Sequence, residues 1–324
     1  MVPARNEAGF LSDCLVSIRA QDYPALQIVV VDSASTDSTA DIVRTHQKED
    51  DRIELVQVDR AGIPRALNSG LAQARGRWLV RVDAHSTVPQ DYVSTAVARL
   101  LEGRWGGVGG RKDGVGRTAA GRAIAVAMAS RLGVGNSTYH FGTCVQEVDH
   151  LPFGAYSVDL VRELGGWDET LVANEDFEFD YRLRRSGRRL LFDPDLVIAW
   201  HCRQSIPDLF RQYRRYGRGK VDVAVMHPDS LGPRHVAPPL FVAYLAMALA
   251  VGTRRPGWAS AMLAPYAAAL AAESVRLAPR LDQVGEQLRV PAAITAMHVG
   301  WGLGFWSGFG RLARLAWSGG SRAT

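Results

Sequence analysis

Trp78-Leu79-Val80-Arg81-Val82-Asp83-Ala84-His85-Ser86-Thr87 is the stretch around which the chain reads as organised. An apolar run of strand character ends in Asp83-Ala84-His85, whose outer residues can both ligate a metal. Side chains alternate along a strand, so Val80 and Val82 share one face and Arg81 and Asp83 the other. The carboxylate therefore emerges where strand gives way to loop, and in open α/β sheets ligands bind at that carboxyl end. Taken alone, a D-x-H is a weak signal, because an Asp at a strand end is more often a turn former or a helix cap. The rest of the chain decides what it is.

Strands and helices alternate on both sides of it. Upstream, Phe10, Leu11, Cys14, Leu15 and Ile18 recur at helical spacing, and residues 26–31 (L-Q-I-V-V-V) form a short buried strand. Asp32-Ser33-Ala34-Ser35-Thr36-Asp37 is a polar loop, followed by a helix over residues 39–45, a strand over 53–58 and a helix over 63–74 that Gly76 breaks. Downstream, Val108 sits in a short strand of a glycine-rich segment, and a helix covers residues 119–132. Strands are expected over 145–153 and 190–200, and a helix over 158–164. The alternation predicts an α/β domain with a mostly parallel, doubly wound sheet. Gly114-Val115-Gly116-Arg117-Thr118-Ala119 matches G-x-G-x-x-A, but no apolar strand leads into it and no acidic residue closes a βαβ unit behind it. It is not read as a dinucleotide site. Only two residues precede Pro3, so the apolar strand that should open such a domain is either missing or begins upstream. Residues 1–7 have neither the basic nor the apolar region of a signal peptide.

A chain of 324 residues, 47% hydrophobic, can bury a large core in one domain or two, and its composition excludes a disordered or fibrous class. Cys14, Cys144 and Cys202 are scattered and odd in number, which argues against a disulfide framework or a C-x-x-C metal site and for a reducing setting. A net charge of +5 suits nucleic acid, a membrane surface or phosphorylated ligands. No recognition helix or aromatic platform points to nucleic acid, and none is expected as a partner. After Pro233 the character changes. Residues 236–253 and 256–272 carry no charge, and in residues 290–310 only His298 titrates. These lengths approach the roughly 20 residues that span a bilayer. Trp258, Trp301, Trp306 and Trp317 fall in this quarter, as interfacial belts require. The expected division is a domain over residues 1–225 and a membrane-associated helical region over 226–324, with a helical soluble subdomain as the competing reading. Arg254 and Arg255 would stay on the cytoplasmic side, as would the basic half before the first segment, which favours a shallow or re-entrant hairpin there.

Pro3-Ala4-Arg5-Asn6-Glu7, Asp32 with Asp37, residues 65–70, Asp83-Ala84-His85, Glu175-Asp176 and Gln212-Tyr213-Arg214-Arg215-Tyr216 fall in the order seen in family 2 glycosyltransferases. Over residues 2–220 the chain resembles that family, and within it the succinoglycan-type enzymes of bacterial exopolysaccharide synthesis. There D-A-H stands in place of D-x-D and goes with a G-G-W-D-E turn and a Y-G-R-G-K-like basic segment. The departure is at the front, where the family's first strand before P-A-R-N-E has no counterpart.

The resemblance implies the GT-A fold, a Rossmann-like, mostly parallel twisted sheet flanked by helices, here with C-terminal hydrophobic helices added. It implies an inverting, metal-dependent hexosyltransferase that takes a nucleotide-sugar donor, a UDP-sugar, and a lipid-linked saccharide acceptor. Its catalytic domain would lie on the cytoplasmic face of the bacterial inner membrane. Pro3, Ala4, Arg5, Glu7 and Asp32 would line the nucleobase and ribose pocket, with Arg65, Glu175 and Gln212 also binding substrate. Arg215 would contact the diphosphate or hold a loop over it. A departing diphosphate gains negative charge, which a divalent cation at strand-end ligands can neutralise. Asp83 would be its main ligand and His85 the second, and a histidine there favours Mn²⁺ over Mg²⁺. His201 is a third ligand or a structural histidine. The acceptor hydroxyl needs a base at the moment of attack. Asp176 is the candidate, with Glu175 and Glu178 in reserve, and a single carboxylate opposite the leaving group gives inversion. The plainer reading of these acids is a helix N-terminus that favours carboxylates, and that of the basic run over residues 211–220 a solvated or lipid-facing surface. The competing function is a non-catalytic membrane scaffold that keeps a nucleotide-sugar pocket.

Overall fold

The computed structural model describes the backbone of residues 1–320 and the side chains of residues 1–312, so the Trp317 side chain lies outside the described residues. In chain order the elements are β1 (Val2–Ala4), α1 (Leu11–Arg19), β2 (Ile28–Ser33), α2 (Thr39–Gln47), β3 (Ile53–Val58), α3 (Ile63–Gln73), β4 (Trp78–Val80), β5 (Ser86–Thr87), α4 (Tyr92–Leu101) and β6 (Gly107–Val115). Then come α5 (Ala119–Met128), α6 (Arg131–Val134), β7 (Gln146–Val148), β8 (Ala155–Ser157), α7 (Val158–Glu163), α8 (Glu175–Arg185) and β9 (Leu190–His201). The chain continues as α9 (Ile206–Met226), α10 (Pro233–Gly252), α11 (Pro256–Leu277), α12 (Val284–Gln287) and α13 (Val290–Gly320). They form two compact units, one of residues 1–113 and 138–201, the other of residues 114–137 and the chain from 202 onward.

In the first unit β1, β2 and β3 pair parallel, in the order β1-β2-β3. β1 is a three-residue strand at the front of this sheet: Val2 and Ala4 are buried, and Ala4 lies opposite Asp32. Met1 also exchanges backbone hydrogen bonds with Val80 and Val82, at 2.8 and 3.1 Å, so the β1 end of this sheet lies beside the β4 stretch. The remaining strands run in the order β4-β8-β6-β9-β5, with β7 also on β9. Here the pairs β4–β8, β6–β8, β5–β9 and β7–β9 are antiparallel. The parallel pairing expected from the alternation thus holds for β1 to β3. Hydrophobic periodicity marks a strand but not its direction, so the antiparallel pairs could not be told from parallel ones in the sequence. The strand expected over residues 145–153 is only β7, and the chain after it leaves the sheet as a loop carrying His150. A core of Leu67, Leu71, Leu79, Leu151, Tyr156, Val161, Trp167, Phe179 and Leu183 fills the space between α3, α7, α8 and the β4 side of the sheet.

The second unit is helical. The helix expected over residues 119–132 breaks because Ser130 caps a new turn, its hydroxyl accepting from the amides of Leu132 and Gly133. The G-x-G-x-x-A fragment is a helix cap: Thr118 Oγ1 accepts from Gly121 N at 2.9 Å, and Gln204 Oε1 takes the amides of Arg117 and Thr118. Those amides are occupied by the protein itself. α13 packs along α9 at glycines, and a Cβ at Gly217 would overlap the carbonyl of Trp301, one at Gly304 that of Arg214. All three expected apolar segments are helical, as α10, α11 and α13. Among the described residues α10 is the helix long and apolar enough to cross a membrane.

Candidate functional site

The P-A-R-N-E stretch leaves β1 and is tied to the loop after β2. Asn6 N donates to Ser35 Oγ at 2.9 Å, and Thr36 N donates back to Asn6 Oδ1 at 2.8 Å. Glu7 N donates to Thr39 Oγ1, and Ala8 N to Asp37 Oδ2. Asp32 is buried at the end of β2, where Ser35 N and Gln57 Nε2 donate to its two oxygens at 3.1 and 3.3 Å. Pro3, Ala4, Arg5, Glu7 and Asp32 are therefore brought together at the carboxyl ends of parallel strands. Left-handed backbone at non-glycine residues is costly and gathers at functional sites. Among the described residues it occurs at Asn6 (φ 56°), Ala34 (φ 54°) and Asn174 (φ 64°). All three lie within two residues of a candidate site residue.

The D-A-H stretch follows β4. Asp83 is joined to the distant acidic motif by Arg81, whose Nε donates to Asp83 Oδ1 at 3.0 Å while Nη1 lies 3.5 Å from Glu175 Oε1. Burial by itself would lower the pKa of Arg81, but the carboxylates of Asp83, Glu175 and Asp176 outweigh it and hold the guanidinium above its ordinary value. Glu175 is pushed up to about 7, first by burial and then by Asp176, with Arg81 opposing. His85 turns Nδ1 to Glu7 Oε1 at 3.0 Å. Below the site, burial and the charge of Asp83 push the Cys14 thiol up to about 12, so it stays protonated.

Asp176 stands in the first turn of α8, with Glu175 and Glu178 beside it and arginines at the far end, as the helix dipole prefers. The helix-terminus reading of the acidic cluster holds. Glu178 is buried and bound by Arg182 at 2.7 Å. Asp176 keeps 24% of its side chain exposed, and its Oδ2 lies 3.9 Å from His150 Nε2. His150 Nδ1 in turn lies 2.8 Å from Oδ2 of the buried Asp180.

His201 is brought next to His85: its amide donates to the His85 carbonyl at 3.0 Å, and its ring lies 4.8 Å from that of Phe10. Arg65 pairs with Glu169 at 3.3 Å, in the turn that Asn68 also holds through Trp167. Gln212 and Arg215 belong to the other unit. Gln212 is buried with Nε2 donating to Tyr216 Oη at 2.9 Å, and Arg215 is exposed with its guanidinium 5.8 Å from the Tyr216 ring. Lys220, in the same basic run, is buried against the Ser230 carbonyl at 3.3 Å rather than offered to solvent or lipid.

Among the described residues no three His, Cys, Asp or Glu side chains are gathered to hold a metal ion. Asp83 and His85 nonetheless make a mixed oxygen and nitrogen pair. The Glu7 contact at His85 Nδ1 is of the carboxylate–histidine kind that would orient an imidazole toward a metal through its other nitrogen. This donor set suits a divalent ion whose remaining positions are filled by phosphate oxygens and water, not one caged by protein. Sequence reasoning passed over Arg81, His150 and Asp180. Arg81 alternates with Asp83 in the stretch read from the sequence as strand, which was the available signal, although β4 ends at Val80. His150 fell in a stretch read as strand, and Asp180 among acids read as a helix start.

The sequence profile named Glycosyl transferase family 2 matches residues 1–143, and that named Glycosyl transferase family group 2 matches residues 78–307. The chain is 30% identical over 315 residues to the succinoglycan biosynthesis protein ExoA of Rhizobium meliloti, covering 94% of this chain and 93% of that one. It is 24% identical over 230 residues to a dolichyl N-acetyl-α-D-glucosaminyl phosphate 3-β-D-2,3-diacetamido-2,3-dideoxy-β-D-glucuronosyltransferase of Methanococcus voltae, covering 68% of this chain and 71% of that one. Among solved structures it is similar to the mannosyltransferase PcManGT from Pyrobaculum calidifontis in complex with GDP-Man and Mn²⁺. That match has a TM-score of 0.57 and 26% identity, and covers 93% of this chain and 85% of that one. The S. aureus TarS structure with UDP-GlcNAc shares the fold, with a TM-score of 0.52 and 18% identity over 94% of this chain and 89% of that one. With strand-end acids, a buried arginine clamp and matches that run almost the whole chain, this protein belongs to glycosyltransferase family 2 and has its GT-A fold.

Proposed function

We propose that this glycosyltransferase moves a hexosyl unit from a nucleotide sugar, a UDP-sugar, to a lipid-linked saccharide in exopolysaccharide synthesis, with inversion at the anomeric carbon. In this reading residues 1–225 carry the chemistry, and residues 226–324 hold the enzyme at the cytoplasmic face of the cell membrane. One observation carries it: Arg81 binds Asp83 and Glu175 at once, so the strand-end D-A-H and the E-D motif belong to one cluster. The similarity to ExoA supports the pathway, and that to a GDP-Man and Mn²⁺ complex supports a nucleotide-sugar donor and a divalent ion.

Pro3, Ala4, Arg5, Glu7 and Asp32 receive the nucleoside, and Arg65 and Glu175 border the donor. Asp83 and His85 hold the divalent ion, with His201 beside them. When bound, that ion neutralises the charge that grows on the leaving diphosphate. Arg81 holds the Asp83 carboxylate in place. Asp176 takes the proton from the acceptor hydroxyl as its oxygen attacks.

Release of nucleoside diphosphate is measured with UDP-glucose, UDP-galactose, UDP-N-acetylglucosamine and GDP-mannose, each with lipid-linked acceptors, with and without Mn²⁺. Turnover with one UDP-sugar that needs Mn²⁺ is expected. Binding with no transfer from any donor would favour a scaffold, and preference for GDP-mannose would overturn the UDP assignment. In Asp83→Asn, which keeps an acceptor for Arg81, Mn²⁺-dependent UDP binding should weaken about tenfold or more, some 1.4 kcal/mol. Unchanged binding by calorimetry would remove Asp83 from the metal.

A further inference from the structure

We propose that His150 acts through Asp176, accepting the proton that Asp176 has taken, in a chain running from buried Asp180 through the imidazole to Asp176. The proposal rests on the reading of Asp176 as the base. Asp180 is fully buried on α8, one helical turn beyond Asp176, and its oxygens are anchored on several sides. Leu151 N donates to Oδ2 at 2.7 Å and Tyr156 Oη to Oδ1 at 2.9 Å, while His150 Nδ1 lies 2.8 Å from Oδ2. A buried carboxylate that receives a ring N–H fixes the tautomer of the imidazole, as the orienting carboxylate of a hydrolase triad does. Nδ1 is then the donor, and Nε2 is left with a lone pair. That lone pair is the ring atom nearest Asp176, 3.9 Å from Oδ2. The distance exceeds a hydrogen bond, and only a proton arriving on Asp176 makes the two a donor and an acceptor that can close it.

Packing holds the ring in place. Tyr139 meets it edge-on at 5.5 Å, and Phe177 stands at 5.5 Å on another side. The charged or titratable groups around the chain are Asp176 and Asp180 of α8, Tyr139 of the turn before β7, Tyr156 of β8, and, facing Asp176, Arg81 and Glu175. Burial and the Asp180 charge hold the Tyr156 phenol well above its usual value, so it remains a donor. A carboxylate base alone has little thermodynamic pull on a proton from a sugar hydroxyl. An imidazole behind it lets the proton move on.

The step balances as follows. The acceptor oxygen forms its bond to the sugar carbon as the carbon–oxygen bond to the diphosphate breaks, and that electron pair leaves with the nucleoside diphosphate. The acceptor proton passes to Asp176 Oδ2 and then to His150 Nε2. This restores the Asp176 carboxylate and leaves an imidazolium between two carboxylates, which loses its proton to solvent before the next turnover.

The test uses the full chain and the nucleotide sugar that turns over in the donor screen, with kcat and donor KM followed from pH 5 to 9 in His150→Gln, Asp180→Asn and Asp176→Asn. Expected for His150→Gln is a kcat lower by about tenfold to a hundredfold with donor KM little changed. The acid limb of its pH profile should move to lower pH, because a lone carboxylate then sets it. Asp180→Asn should lower kcat in the same way, and it covers the case in which His150→Gln does not fold. In the wild type, ¹⁵N NMR should show His150 protonated at Nδ1 when neutral, with that preference lost in Asp180→Asn. A fall in kcat with an unmoved pH profile would mark His150 as structural and overturn the proposal, as would an Nε2–H tautomer. Inactive Asp176→Asn beside fully active His150→Gln sinks the relay while sparing the base. Active Asp176→Asn removes the base reading itself, and the relay with it.

Discussion

Arg81 and Glu175 show how much of this site is set by charge balance between residues far apart in the chain. Arg81 is nearly inaccessible, and a buried cation persists only when paired. Glu175 sits on the same guanidinium but also against Asp176, and its pKa is raised from 4.5 to about 7, with burial the larger cause. The sign for stability follows from proton counting. Between pH 4.5 and 7 the folded chain holds a proton that the unfolded chain has lost, so stability is fully present below that window and falls as pH rises through it. Glu175→Gln lacks this dependence. Its Tm in chelator-containing buffer should match the wild type near pH 4.5 and exceed it progressively toward pH 8, and a constant difference across the range would refute the assignment. Asp83, Glu175 and Asp176 were legible as carboxylates at a strand end and a helix start. Their common partner was not, because an arginine on a strand face gives no sign of which distant acid it meets.

α8 shows the same limit one level up. Its apolar seam and its acids at one end and arginines at the other were readable, but its aim was not. That aim depends on Asn174, which turns the chain through left-handed backbone immediately before Glu175. Asparagine tolerates this conformation, glycine adopts it freely, and alanine pays about 1–2 kcal/mol. Asn174→Gly should therefore keep both Tm and turnover near wild type. Asn174→Ala should lower the unfolding free energy by about 1 kcal/mol and reduce kcat; equal behaviour of the two variants in denaturant titrations would show that the backbone there is not what aims the helix. In the second unit, Gly217 of the Y-G-R-G-K segment read as part of a basic motif, yet its lack of a Cβ lets α9 approach the Trp301 carbonyl of α13. Gly217→Ala should cost about 1–3 kcal/mol of stability, read as a lower Tm of the full chain. The helices were visible in the sequence as apolar periods. The contact between them depends on a helix that begins more than sixty residues later, beyond any local window.

For the molecule as a whole, the change of character after Pro233 was legible because loss of charge over long windows needs no knowledge of contacts. The number of spans was not, since Ala- and Gly-rich helices have modest hydropathy and serve equally to pack against each other. α10 combines a mean hydropathy of 1.6 with an apolar window only 17% buried. Leu240, Met247 and Leu249 on it are 62%, 53% and 76% exposed, and Trp258 on the following helix is 64% exposed. Exposed apolar side chains on consecutive helices are the expected signature of a lipid-facing surface. With a net charge of +5 the chain could also be drawn to anionic lipid by charge alone, and salt separates the two causes. The full chain should float with phosphatidylcholine–phosphatidylglycerol liposomes and stay with them in about 1 M salt, where electrostatic attraction reaches only about 3 Å. Replacing Leu240, Met247 and Leu249 together by lysine should move the chain to the soluble fraction, while nucleoside diphosphate release from the donor persists. Flotation lost in salt would make the attachment electrostatic, and a wild-type chain that stays at the bottom of the gradient would make the helical region a subdomain that packs on itself.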